Sequence, residues 1–236
     1  MKLYGIGGLG TGKLGNQVFA VRSGEQIVRQ YNPVVANPQT AAQVQTRSKL
    51  KLASQLAAVV APAIAIPADG LKTKRNEFIS RNYPSISYHD DQAQMSMEAL
   101  ELTKGTSWLP AVNATRFPED HDIECALQES VYEVYDYVVW VLVTKNTDGS
   151  LVLMKQVQVA ITEAAGTAEV AFPETEKQCF IYAYGIRANN DESRAKYAEL
   201  LSEGSTNIVS LATSRNAVLG NVTFSRTSYR GLSAQA

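Results

Sequence analysis

The sequence predicts an α+β protein: an N-terminal β-hairpin and a long helix, followed by a mainly antiparallel β-sandwich of immunoglobulin-like or fibronectin-like type. Three observations predict it. Runs rich in Val, Phe, Ile and Tyr flank Ser23-Gly24, a turn signal between two strands. Residues 41–60, AAQVQTRSKLKLASQLAAVV, are rich in Ala, Leu, Lys and Gln, which favour helix. Beyond Ser85, aromatic and β-branched runs alternate with turn residues, the layout of a sandwich.

From the N-terminus, residues 1–15 form a glycine-rich arm, with six glycines between positions 5 and 15. Such a segment is costly to order alone. Two readings stand for it: an arm that becomes ordered against a neighbouring subunit, anchored by Tyr4, Ile6 and Leu9, or a plain floppy tail. Gly5, Gly7 and Gly10 satisfy G-x-G-x-x-G, and Gly12-Lys13 imitates the end of a phosphate loop. That loop requires a buried strand before it, a helix after it, and Ser or Thr following the Lys. Here Leu14 replaces the hydroxyl and a hairpin follows, so neither nucleotide binding nor any other cofactor is expected.

The hairpin spans residues 16–31, and Pro33 and Pro38 keep the next stretch extended. The helix over 41–60 presents Val44, Leu52, Leu56, Val59 and Val60 as an apolar stripe, with Arg47 and Lys51 one turn apart on another face. At 1.5 Å per residue it would reach about 30 Å, and Pro62 ends it. A short second helix is expected near 73–82, completing a hairpin and helical region over 16–84. The sandwich is placed at 85–204. Its clearest unit is the pair of long strands on either side of Asp148-Gly149, joined by TAEVAFP, QCFIYAYGIRA and a short helix near 193–201. Residues 205–236 are expected as an extended tail or edge strands.

The net charge of −1 is segregated. Residues 1–89 hold three acidic side chains against eleven Lys and Arg, and residues 90–204 hold twenty against eight. After 204 there are three arginines and no acid. This asymmetry predicts a basic face for an anionic partner, or subunits that meet basic end to acidic end. No apolar run approaches the roughly 18 residues that span a bilayer, and no signal-peptide layout opens the chain. An intracellular product without a membrane partner is expected, with Cys125 and Cys179 as free buried thiols.

Little here carries chemistry. His89-Asp90-Asp91 and Glu119-Asp120-His121-Asp122 are the clusters with metal-ligand character. A zinc site would need both histidines plus carboxylates from separate loops, and the calcium-loop spacing is absent; solvated acidic loops are the plainer reading. No G-x-S-x-G nucleophile motif occurs, and a Cys–His pair would meet only in the fold. Catalysis, a metal and a small-molecule substrate are not expected. Arg22, Arg29, Arg47, Lys49 and Lys51, with Phe19 and Tyr31 nearby, compose a candidate subunit-facing or DNA-facing surface.

Residues 12–56, GKLGNQVFAVRSGEQIVRQYNPVVANPQTAAQVQTRSKLKLASQL, carry G-K-x-G-N, R-x-G-x-Q, N-P-x-T-x-A-Q and R-x-K-x-K-L-x-S-Q in order. This stretch, roughly a fifth of the chain, resembles the N-terminal signature of a family from gut Bacteroidales and their crAss-like tailed phages. The resemblance implies a phage or prophage origin and brings no catalytic residue with it. Together with the glycine arm and the split charge, it leads to the expectation of a non-enzymatic virion structural protein, assembled in the host cytoplasm. A multi-copy ring or connector subunit at the head–tail junction or tail comes first, and a capsid-associated protein second. Its partners are then itself and other virion proteins, with DNA contact through the basic N-terminal region as an added expectation. The rival classes are a packaged nucleic-acid-binding protein using the Arg47–Lys51 helix and, third, a metal-dependent enzyme using His89 and His121.

Overall fold

The computed structural model describes residues 11–22, 25–34, 39–68, 70, 72–117, 122–129, 131, 134–145, 154–163, 169–173, 178–203, 208–213, 218 and 220–232. Helices and antiparallel sheets are both present, so the protein is α+β. The chain divides into two compact units, residues 1–44 and 45–236.

In the first unit β1 (Gly12–Leu14), β2 (Gln17–Arg22) and β3 (Glu25–Gln30) form an antiparallel meander. Gly15 makes the β1–β2 turn with φ 58°, a left-handed value that glycine adopts without strain. Register pairs Gly12 with Phe19 and Phe19 with Val28, so β2 follows Lys13 where a phosphate loop would set a helix. The turn at Ser23-Gly24 lies outside the described residues. Helix α1 (Ala41–Val59) begins here, where Thr40 Oγ1 accepts the Gln43 amide at 3.4 Å.

In the second unit, α1 buries Leu52, Ala53, Leu56 and Ala57, and Val60 follows them inward. Val59 is half-buried here, as is Val44 in the first unit. Helix α2 (Lys74–Asn82) starts where the Thr73 hydroxyl accepts the Asn76 amide at 3.2 Å, an ordinary N-cap. The buried side chain of Asn82 bonds to the Phe78 and Glu101 carbonyls and to the Glu101 amide. A small hairpin, β4 (Ile86–His89) with β5 (Gln92–Met95), turns through Asp90 and Asp91, both at positive φ.

The remaining strands build two sheets. β6 (Val112–Phe117), β7 (Asp122–Leu127) and β10 (Glu169–Pro173) stand in the order β10-β7-β6. The larger sheet runs β9 (Met154–Glu163), β8 (Tyr137–Lys145), β11 (Gln178–Ala188), with β12 (Val222–Phe224) and β13 (Ser228–Leu232) sharing the outer side of β11. Strands β8 and β11 are apolar at nearly every position, because both of their faces are covered. Tyr137, Val139, Val141 and Val143, with Phe180, Tyr182, Tyr184 and Ile186, meet the helices. Val138, Trp140 and Leu142, with Cys179, Ile181 and Ala183, meet Val112, Ile123, Cys125, Leu127 and Phe172 of the smaller sheet. The layers are therefore helices, sheet, sheet.

The segment after 204, expected as an extended tail or edge strands, supplies two strands beside β11 and also contributes to the core. Helix α3 (Asp191–Ser202) is followed by α4 (Ile208–Ala212), whose Ile208, Val209 and Ala212 are buried, and then by Phe224 and the two strands on β11. Those apolar side chains would be exposed on a free arm, and burial favours packing by about 25 cal/mol per Å².

Candidate assembly surfaces

The first surface is the N-terminal sheet. Its register sets Leu14, Phe19, Val21 and Val28 on one face, yet Leu14 is 52% exposed and Val28 51%. None of the described side chains of β1, β2 and β3 is buried. Lys13, Arg29 and Ile27 lie on the opposite face by the same register, with the Lys13 ammonium 3.4 Å from the Tyr31 ring centroid. Small antiparallel sheets need a covered apolar face to be stable in water, and the outer strands carry unpaired backbone groups. Such a sheet is suited to being covered.

The charged residues expected to act together fall in both units. Arg29 is exposed on β3, and the backbone of Arg22 pairs with Glu25 on the hairpin. On α1, Arg47 and Lys51 are exposed one turn apart, while Lys49 leans inward, its ammonium 5.9 Å from the Tyr83 ring centroid. Tyr4, Ile6 and Leu9 lie outside the described residues, as does His121 with Glu119 and Asp120.

A third surface escapes sequence reasoning. The Tyr135 hydroxyl donates to the Trp108 carbonyl, leaving the Trp108 indole 49% exposed. Burial raises the Tyr135 phenol, while a bond to Ser225 and the charges of Arg187 and Arg226 lower it. Both arginines are exposed, and the Arg226 amide donates to the carbonyl of Ser107, next to Trp108, at 2.9 Å. Lys104 joins them through a shallow depression it lines with Ser107, Thr223 and Phe224, since Thr223 is the ladder partner of Arg187. The residues are remote in sequence, so no local pattern marks them.

Cys125 and Cys179 are buried and joined in no disulfide. Burial, then the charges of Cys179, Asp122 and Glu124, pushes Cys125 up to about 12, which keeps it protonated and unreactive at neutral pH. The Arg116 guanidinium donates to Cys179 Sγ at 3.4 Å. No group of three or more His, Cys, Asp or Glu suited to a metal occurs among the described residues. No described helix is long and apolar enough to cross a membrane. No protein-family model, no curated protein and no solved structure matches the chain.

Proposed function

We propose that this chain is a non-enzymatic structural subunit of a phage virion, present in many copies as a ring or connector at the head–tail junction or in the tail. One observation carries the reading: a three-stranded sheet that exposes Leu14, Val21 and Val28 and buries none of its described side chains. A neighbouring copy is the partner whose charge fits. Residues 1–44 hold four Lys and Arg against one acid, and residues 45–236 hold eighteen against twenty-two. The resemblance of residues 12–56 to proteins of tailed phages supplies the virion context. Electron microscopy of purified particles carrying a label on this protein tests it. Label in a ring at the neck or tail supports the reading, capsid-wide label supports the auxiliary capsid reading, and particles without label overturn both.

A second reading is nucleic-acid binding, favoured by the exposed pair Arg47 and Lys51 on α1. The finer fold reading is an immunoglobulin-like or fibronectin-like sandwich. Its support is the strand order, β6-β7-β10 facing β13-β11-β8-β9, which follows A-B-E against G-F-C-C′. Trp140 also shares a core with Cys125 and Cys179, in the chain order of the Trp and two Cys of such domains. The helical cover over the outer face of β8 and β11 is an addition to that plan. An experimental structure with β6 or β10 paired elsewhere would remove the support.

A further inference from the structure

We infer that the Trp108 end of the sandwich docks on the opposite end of the same domain in a second copy, joining subunits head to tail. This rests on the reading of the chain as a self-assembling subunit, and goes beyond it by naming the two surfaces.

The two ends differ in kind. β6 starts at Val112, a few residues beyond Trp108, and finishes at Phe117, while β11 starts at Gln178, beside Cys179, and finishes at Ala188, beside Arg187. At the Trp108 end, exposed Trp108 and Val134 are accompanied by Arg187, Arg226 and Lys104. Neither arginine pairs with a carboxylate among the described residues. Asp136 is turned away, accepting from the Ala188 amide at 2.7 Å and from Arg194 at 2.9 Å, and Glu129 is exposed among the described residues of the connection after β7.

At the other end Phe117 is exposed opposite Asp122. Glu124 is exposed two residues on. Among the described residues there, Arg116 is turned inward onto Cys179, and Lys145 stands opposite Gln178 where the β8–β11 ladder begins. One end thus offers an aromatic side chain with Arg187 and Arg226 near it, and the other an aromatic beside Asp122. Aromatic residues and Arg are enriched in interface cores, and opposed charge steers and orients association. Two Trp108 ends brought face to face would set cation against cation. The head-to-tail contact is therefore the favourable one, and a contact of this heterologous kind closes into a ring or extends as a filament.

The test uses the full chain and sedimentation velocity across a concentration series. Arg187→Glu with Arg226→Glu, and separately Asp122→Lys with Glu124→Lys, should each weaken self-association at least tenfold, with melting temperatures near wild type. Mixing the two variants should restore association, because each supplies the end the other has inverted. Should the lysine pair impair folding, Asp122→Asn with Glu124→Gln should still weaken association severalfold. Wild type that associates while both charge variants associate equally well overturns this contact and leaves the self-assembly reading standing. Wild type that stays monomeric throughout overturns both. A single-stranded oligonucleotide that binds wild type and not the Arg187→Glu, Arg226→Glu variant, with self-association unchanged, assigns the surface to nucleic acid and also overturns the contact.

Discussion

The ring of Tyr135 lies directly over Gly185, so that a Cβ at the glycine would come within 2.5 Å of the ring's Cγ. The backbone of Gly185 cannot retreat, because it pairs with Val138 on β8 and its amide donates to Ser225 Oγ at 2.7 Å. Tyr135 in turn holds the Trp108 carbonyl. One glycine in β11 therefore seats the aromatic ring on which the Trp108 end is built.

Gly185→Ala should consequently destabilise the fold by about 1–3 kcal/mol, the usual cost of overpacking a core. Urea unfolding of the purified chain measures it. A change below about 0.5 kcal/mol, the range of a neutral surface substitution, would mean that Tyr135 moves aside freely.

Alkaline pH should unfold the protein. Cys125 rises from 9.0 to about 12 on folding, and burial also holds the phenols of Tyr182 and Tyr184 above their ordinary 10.0. An acid with a raised folded value supports the fold below its unfolded value, and that support is lost as pH climbs past it. Each such group removes up to about 1.4 kcal/mol per pH unit. Lys74 opposes this, since burial lowers it to about 8 and its cost is relieved as pH rises from there toward 10.5. The melting temperature should hold to about pH 9 and fall steeply above pH 10. Cys125→Ala should flatten the fall, and equal slopes for variant and wild type would contradict the assignment.

Covering of the N-terminal sheet predicts a separation of stability from assembly. Leu14→Ser with Val28→Ser alters two exposed side chains, so the monomer's melting temperature should shift by less than about 2 °C, in keeping with roughly 0.5 kcal/mol or less. The multimer seen by light scattering should be lost. A multimer as stable as wild type would show that this apolar face is not an interface.

Charge reversal on α1 distinguishes the two leading functions. Arg47→Glu with Lys51→Glu changes exposed side chains, so the fold should survive within about 0.5 kcal/mol. Loss of assembly places an acidic protein neighbour against this face. Normal assembly with loss of DNA retention in a mobility-shift assay places nucleic acid there instead.

Local chemistry made much of the architecture legible from residues alone. Thr73 caps α2 because its hydroxyl reaches an amide three residues on, and Leu52 and Leu56 share the buried side of α1 because four residues make about one helical turn. The aromatic and β-branched runs at 137–145 and 178–188 declared strands in the same way. What tertiary structure decided is what lies on either side of them. Val139 and Trp140 are both fully buried neighbours on one strand, a condition met only when one face packs on helices and the other on a second sheet. The recruitment of Ile208, Val209 and Phe224 into that core, and the meeting of Trp108, Tyr135, Arg187 and Arg226 at one end, depend on contacts between segments far apart in the chain. Propensity and periodicity act over a few residues, so such meetings are chosen by packing.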